Sequence, residues 1–137
     1  MLTKSINYLS GSKLVKQLFK YSFVGVFNTL IGLGSIFILY NIYSVNYVLS
    51  NVIGYIFGLV NSFIWNKKWT FASKGEYSRE IFYFFIMFII SYSANLLCVL
   101  ISVEIFKINP NVAQIIGVGA YSTTNFFSNR KWTFKAS

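Results

Sequence analysis

The stretch Tyr21 to Asn66, YSFVGVFNTLIGLGSIFILYNIYSVNYVLSNVIGYIFGLVNSFIWN, runs for 46 residues between Lys20 and Lys67 without one charged side chain. A single helix needs roughly 20 apolar residues to cross the hydrocarbon core of a bilayer. The stretch is therefore long enough for two crossings. The polar segment Asn41 to Asn46, with Ser44 between, divides it into spans over about 21–40 and 47–65, joined by a tight external turn.

Working outward from this pair, two further uncharged stretches follow, Ile81 to Val103 and Ile108 to Asn129. Glu104, Lys107 and the helix-breaking Pro110 separate them, which predicts third and fourth spans over about 81–103 and 110–128. Upstream, Leu14, Val15, Leu18 and Phe19 interleave with Lys13, Lys16 and Lys20 at near-helical spacing. Residues 1–19 thus read as a short interfacial amphipathic helix on the cytoplasmic side, ahead of a transmembrane domain over 20–137. A cleaved signal peptide is the competing reading of a basic start before an apolar run, but this run is too long and no Ala-x-Ala site ends it.

Composition agrees with an all-α integral membrane protein: 55% of residues are hydrophobic and only 11% charged, against roughly 25% charged in a soluble domain. The net charge of +9 could suggest nucleic acid. Its placement argues otherwise, because all the Lys and Arg except Lys107 lie in three blocks beside the apolar runs: Lys4, Lys13, Lys16 and Lys20; Lys67, Lys68, Lys74 and Arg79; Arg130, Lys131 and Lys135. Those blocks fall on one face of a four-span topology, so both chain ends are expected in the cytoplasm. With one cysteine, Cys98, and no histidine, disulfide frameworks and the usual zinc sites are excluded, and no cofactor is expected.

Asn66-Lys67-Lys68-Trp69-Thr70-Phe71 recurs 63 residues later as Asn129-Arg130-Lys131-Trp132-Thr133-Phe134. Membrane interfaces collect Trp and Lys, which explains the composition of the hexamer but not its order. The same shift lays Asn51 on Gln114, Gly54 on Gly117 and Phe63 on Phe126. The chain therefore reads as two tandem two-helix repeats. Each has two spans, so the copies run in parallel, with the pseudo-twofold axis along the membrane normal.

With these residues in place, the sequence closely resembles the GtrA family of small four-helix membrane proteins. The resemblance runs from Lys20 to Phe134. It is carried by Tyr21-Ser22-Phe23-Val24-Gly25-Val26-Phe27-Asn28-Thr29 at the start of the first span, and by Asn-Phe-x-x-Asn-Arg-x-Trp-Thr-Phe closing the second and fourth. The second copy of that signature fits throughout, from Asn125 to Phe134; the first has Ser62 for asparagine and Lys67 for arginine, with Asn61 adjacent. The resemblance implies movement of polyprenyl-phosphate-linked sugars across the bacterial cytoplasmic membrane, for decoration of surface polysaccharides or teichoic acids, with membrane glycosyltransferases as partners.

A phosphosugar head group needs polar partners inside a slab where an exposed ionised group costs several kcal/mol. Asn51, Gly54, Gly58, Asn61 and Trp65 share one stripe of the second span, and Gln114, Gly117, Tyr121, Asn125 and Ser128 one of the fourth. Gly25, Asn28, Gly32 and Ser35, and Ser91, Asn95, Cys98 and Ser102, do likewise in the first and third. Small residues on such stripes serve close packing first, and Gly54-x-x-x-Gly58 is a packing pattern. The asparagines ask for more, since an interhelical hydrogen bond in a membrane contributes only about 0.6 kcal/mol on average. Candidate substrate-binding residues are therefore Asn28, Asn61, Asn95, Gln114 and Asn125 within the spans, and Asn66, Lys67, Asn129 and Arg130 at the repeated ends, where basic groups would meet phosphate. Trp69 and Trp132 are expected to anchor those ends at the interface.

There is no phosphate-binding glycine loop, no soluble sugar-nucleotide domain and no acidic pair for a metal, so an enzyme is not expected. The first span also lacks the buried Glu on which small multidrug exporters rely. The alternative that survives is an accessory subunit of a membrane glycosyltransferase that does not itself transport. Because one four-helix protomer encloses little volume, a homodimer is expected as well.

Overall fold

A computed structural model describes residues 2–134, with side chains from residue 11 onward. Its described elements are all helical: α1 (Leu2–Phe37), α2 (Tyr47–Trp65), α3 (Tyr77–Leu100) and α4 (Pro110–Ser128), each closed by a five-residue π-helical turn. The chain divides into two compact units, Met1–Ala72 and Ser73–Ser137. Each is a helical hairpin, α1 against α2 and α3 against α4.

The 63-residue shift read from one hexamer holds to the residue for the ends of α1 and α3 and for both ends of α2 and α4. α2 and α4 begin at Tyr47 and Pro110 and end at Trp65 and Ser128. The π-turns Ile38–Ile42 and Ile101–Ile105 are copies, as are Asn66–Thr70 and Asn129–Thr133. The connections repeat bond for bond. Tyr43 and Phe106 donate to the carbonyls five residues back at 3.2 Å, and Val45 and Ile108 to those six back at 2.9 Å. Ser44 and Lys107 stand between with φ of 53° and 52°, the left-handed residue that commonly ends a helix. Asn46 and Asn109 then cap the next helix, their side chains accepting from Val48 N and Asn111 N at 2.9 Å. This satisfies orphan amides that any helix start must place somewhere. Pro110 follows its cap at the first helical position, where it lacks no bond the helix would use.

What is buried and what is exposed reverse the soluble pattern. Val26, Leu33, Ile56, Phe82 and Ile115 are exposed, whereas Ser50, Ser91, Glu80, Asn66, Asn125 and Asn129 are buried. Lipid is as apolar as leucine, so an exterior of this kind carries no cost there, and small and polar residues hold helices together. The tightest approach in the first hairpin is at Gly54, where a Cβ would lie 2.8 Å from the Gly32 carbonyl oxygen and 2.4 Å from Ile36 Cγ1. At the equivalent Gly117 it would meet Asn95 Oδ1 at 2.8 Å and Val99 Cγ2 at 2.6 Å.

Three helical segments, Gly11–Ile42, Tyr47–Thr70 and Tyr77–Ile105, are long and apolar enough to cross a membrane. α4 has the 19-residue length of α2 but carries Gln114, Ser122, Thr123, Thr124 and Asn125, and is less apolar than α2 or α3. The largest departure from the expected boundaries is at the first helix. The amphipathic start is not set apart as its own helix but runs into the first span, giving 36 continuous residues, or roughly 54 Å at 1.5 Å per residue. No glycine-proline break lies between Lys13 and Tyr21 to interrupt it.

Candidate functional site

The repeated hexamers close α2 and α4, at the end of each hairpin opposite its tight connection. In the first hairpin Asn66, Lys67 and Thr70 are buried within this turn, while Lys68 is exposed. Asn66 Nδ2 donates to Ser62 Oγ at 3.1 Å. Asn66 Oδ1 and Thr70 Oγ1 have no hydrogen-bond partner. The last carbonyls of a helix are orphaned acceptors that favour a cation, and Lys20 of α1 supplies one, donating to the Trp69 carbonyl at 3.2 Å with its ammonium 5.3 Å from the Trp69 ring centre. Trp69 also meets Phe23 and Trp65 edge-on. Deeper in the hairpin, Asn61 Nδ2 donates to Asn28 Oδ1 and ties α2 to α1.

In the second hairpin the same turn is closed upon itself. Asn129 Nδ2 donates to both the carbonyl and Oδ1 of Asn125 at 2.9 Å, and Thr133 Oγ1 donates to Asn129 Oδ1 at 2.7 Å. All three residues are buried. Arg79 of α3 takes the capping role, donating to the Trp132 carbonyl at 3.4 Å, although it aligns with Lys16 and not with Lys20. Lys131 lies 4.7 Å from the Trp132 ring centre. A groove of about 400 Å³ opens between α3 and α4 here, lined by Met87, Ile90, Thr124, Ser128 and Trp132.

The predicted residues thus fall into groups. Asn28 and Asn61 meet each other; Asn66 and Lys67 share one buried turn; Asn125 and Asn129 share another, with Arg130 half-buried beside them. Asn95 is half-buried against Gly117, away from that turn, and Gln114 is exposed on α4. Trp69 is half-buried and Trp132 exposed. Sequence reasoning missed Thr70 and Thr133, which the hexamer contained but to which it gave no role. It also missed Glu80, a fully buried carboxylate in the first turn of α3 that accepts the Ser73 hydroxyl. The 63-residue register lays Glu80 on Gln17, and only the structure shows that both are buried.

The pattern of the GtrA/DPMS transmembrane domain matches residues 20–134. The chain belongs to this family. Two membrane proteins of Bacillus subtilis strain 168 are similar to it: YngA, 31% identical over 120 residues that cover 88% of this chain and 80% of YngA, and YwcD, 27% identical over 119 residues that cover 84% and 94%. Membership of GtrA/DPMS makes the protein a membrane protein of a group linked to glycosylation and to the movement of lipid-linked sugars. Within that family match lie both hexamer turns and both capping cations.

Proposed function

We propose that this GtrA/DPMS protein moves a polyprenyl-phosphate-linked monosaccharide across the bacterial cytoplasmic membrane, for glycosylation of cell-surface polysaccharide or teichoic acid, without catalysing a covalent step. It would sit with both chain ends in the cytoplasm and all four helices spanning, with Asn125 and Ser128 of α4 buried within the second hairpin. The observation that carries this reading is the burial of Asn66, Lys67, Asn125 and Asn129 at the basic ends of helices whose outer surfaces are apolar. A charged glycolipid head group crosses bare lipid only at a cost of several kcal/mol. Amides and cations held inside the hairpins offer it hydrogen bonds in exchange for water, and the polyprenyl chain can stay in the surrounding lipid. Asn28, Asn61 and Asn95 lie further along the helices and extend the supply of amides inward. Passage down the gradient between synthesis inside and consumption outside needs no further energy source.

The test is reconstitution of the full chain in liposomes with a fluorescent polyprenyl-phosphate hexose in both leaflets. Chemical quenching from outside should remove about half of the signal from empty vesicles and nearly all of it from protein-containing ones. Vesicles that keep half, together with a stable complex between this chain and a membrane glycosyltransferase, would favour the accessory-subunit reading instead.

A further inference from the structure

We infer that the closing turn of the first hairpin, and not its copy in the second, is built to receive a phosphorylated head group that carries hydroxyls, through Asn66 and Thr70 beside Lys67. This rests on the lipid-linked-sugar reading and narrows it to one of the two repeated ends.

The two turns have the same length, the same backbone hydrogen bond from Phe71 or Phe134, and the same Asn, Trp and Thr. In the second, the Thr133 hydroxyl and the Asn129 amide satisfy one another and Asn125. In the first, the equivalent oxygens, Asn66 Oδ1 and Thr70 Oγ1, are left without partners although the residues are only 2% and 3% exposed. A buried polar atom left without a partner keeps the full cost of its lost hydration. Two of them in one turn, where the sister turn has none among its equivalent atoms, mark a place kept open for a partner from outside the chain.

The chemistry of the partner follows from what is missing. A carbonyl oxygen needs a donor, which a phosphate at neutral pH does not supply. A threonine hydroxyl both gives and takes. With the Asn66 nitrogen held on Ser62 and its oxygen free, sugar hydroxyls satisfy both atoms. Lys67 brings positive charge into the same turn, which suits the phosphate. A bare lipid phosphate would meet the cation and the threonine but leave the amide oxygen unpaired.

The experiment measures binding by the purified full chain, read by tryptophan fluorescence, to three probes: a short-chain polyprenyl-phosphate hexose, the same polyprenyl phosphate without sugar, and hexose 1-phosphate. The unsubstituted protein should prefer the sugar-bearing lipid over the bare one by about tenfold. Asn66→Ala and Thr70→Val should each erase that preference, with Thr70→Ser restoring it and thermal stability not lowered by Thr70→Val. Thr133→Val should keep the preference while lowering stability. Retention of the preference by Asn66→Ala and Thr70→Val overturns the inference, as does absence of any preference, or a loss of stability in Thr70→Val equal to that in Thr133→Val. If hexose 1-phosphate competes as well as the lipid, the turn's assignment stands and the lipid-linked reading fails; sugar-dependent binding without movement across liposomes has the same meaning.

Discussion

The two hairpins share a backbone and differ in how they finish it. Their helix ends, left-handed residues, caps and π-turns coincide under one shift of 63 residues, yet the first leaves two buried oxygens unpaired where the second pairs both equivalents. The turns also differ four residues upstream, where Asn125 offers Asn129 Nδ2 two acceptors, its carbonyl and its side chain, and Ser62 offers Asn66 Nδ2 its hydroxyl. Local backbone form is thus set by features both copies retain, the cap asparagines and the hexamer. Saturation of polar groups is not, since the same Asn and Thr bond each other in one turn and stay apart in the other.

The contrast can be broken or sharpened by substitutions made in parallel. The largest effect is expected at the helix crossings. Gly54→Ala drives a methyl group into the Gly32 backbone and should cost about 2–3 kcal/mol, while Gly117→Ala meets only side chains that can turn aside and should cost about 1 kcal/mol; thermal unfolding in detergent followed by circular dichroism checks the order. Next comes the ladder: Asn129→Ala strands both Asn125 Oδ1 and the Thr133 hydroxyl, for about 2 kcal/mol, against about 0.5–1 kcal/mol for Asn66→Ala, which loses one bond. Equal costs would mean that the turns are not energetically distinct. Lys20→Gln and Arg79→Gln each remove a cation from a terminal carbonyl, and should cost about 0.5 kcal/mol apiece. Only the first should alter tryptophan emission markedly, because Lys20 lies over the Trp69 ring. Opposite in sign and alike in both hairpins, Ser44→Gly and Lys107→Gly should raise stability by a similar amount, roughly 0.5 kcal/mol, since glycine adopts positive φ without a Cβ penalty.

Much of the fold was legible. The helices α2 and α4 have the bounds 47–65 and 110–128 read from the sequence, because Asn46 and Asn109-Pro110 are clear starting signals and the hexamer marks the stops. α3 begins four residues earlier than the expected 81, at Tyr77, because a helix continues past the charges that end a hydrophobic run. The same reason joins residues 1–19 to the first span: amphipathic and apolar segments have one backbone geometry, and only a breaker separates them. The candidate site was legible in its membership and not in its pairing. Asparagine at helical spacing identifies a stripe, but whether an amide faces a neighbouring amide, as Asn61 does Asn28, or a serine, as Asn66 does Ser62, depends on sub-ångström placement that periodicity does not encode. Glu80 escaped notice because a carboxylate just outside an apolar run resembles any solvated loop charge until its burial is known.

Each copy leads the polypeptide out along one rod and back along another, so it ends at the level from which it set off. Adding a copy, or losing one, would therefore never turn the remainder of the chain upside down, and a tandem duplication could arise in a single genetic event without any change in how the nascent protein is threaded.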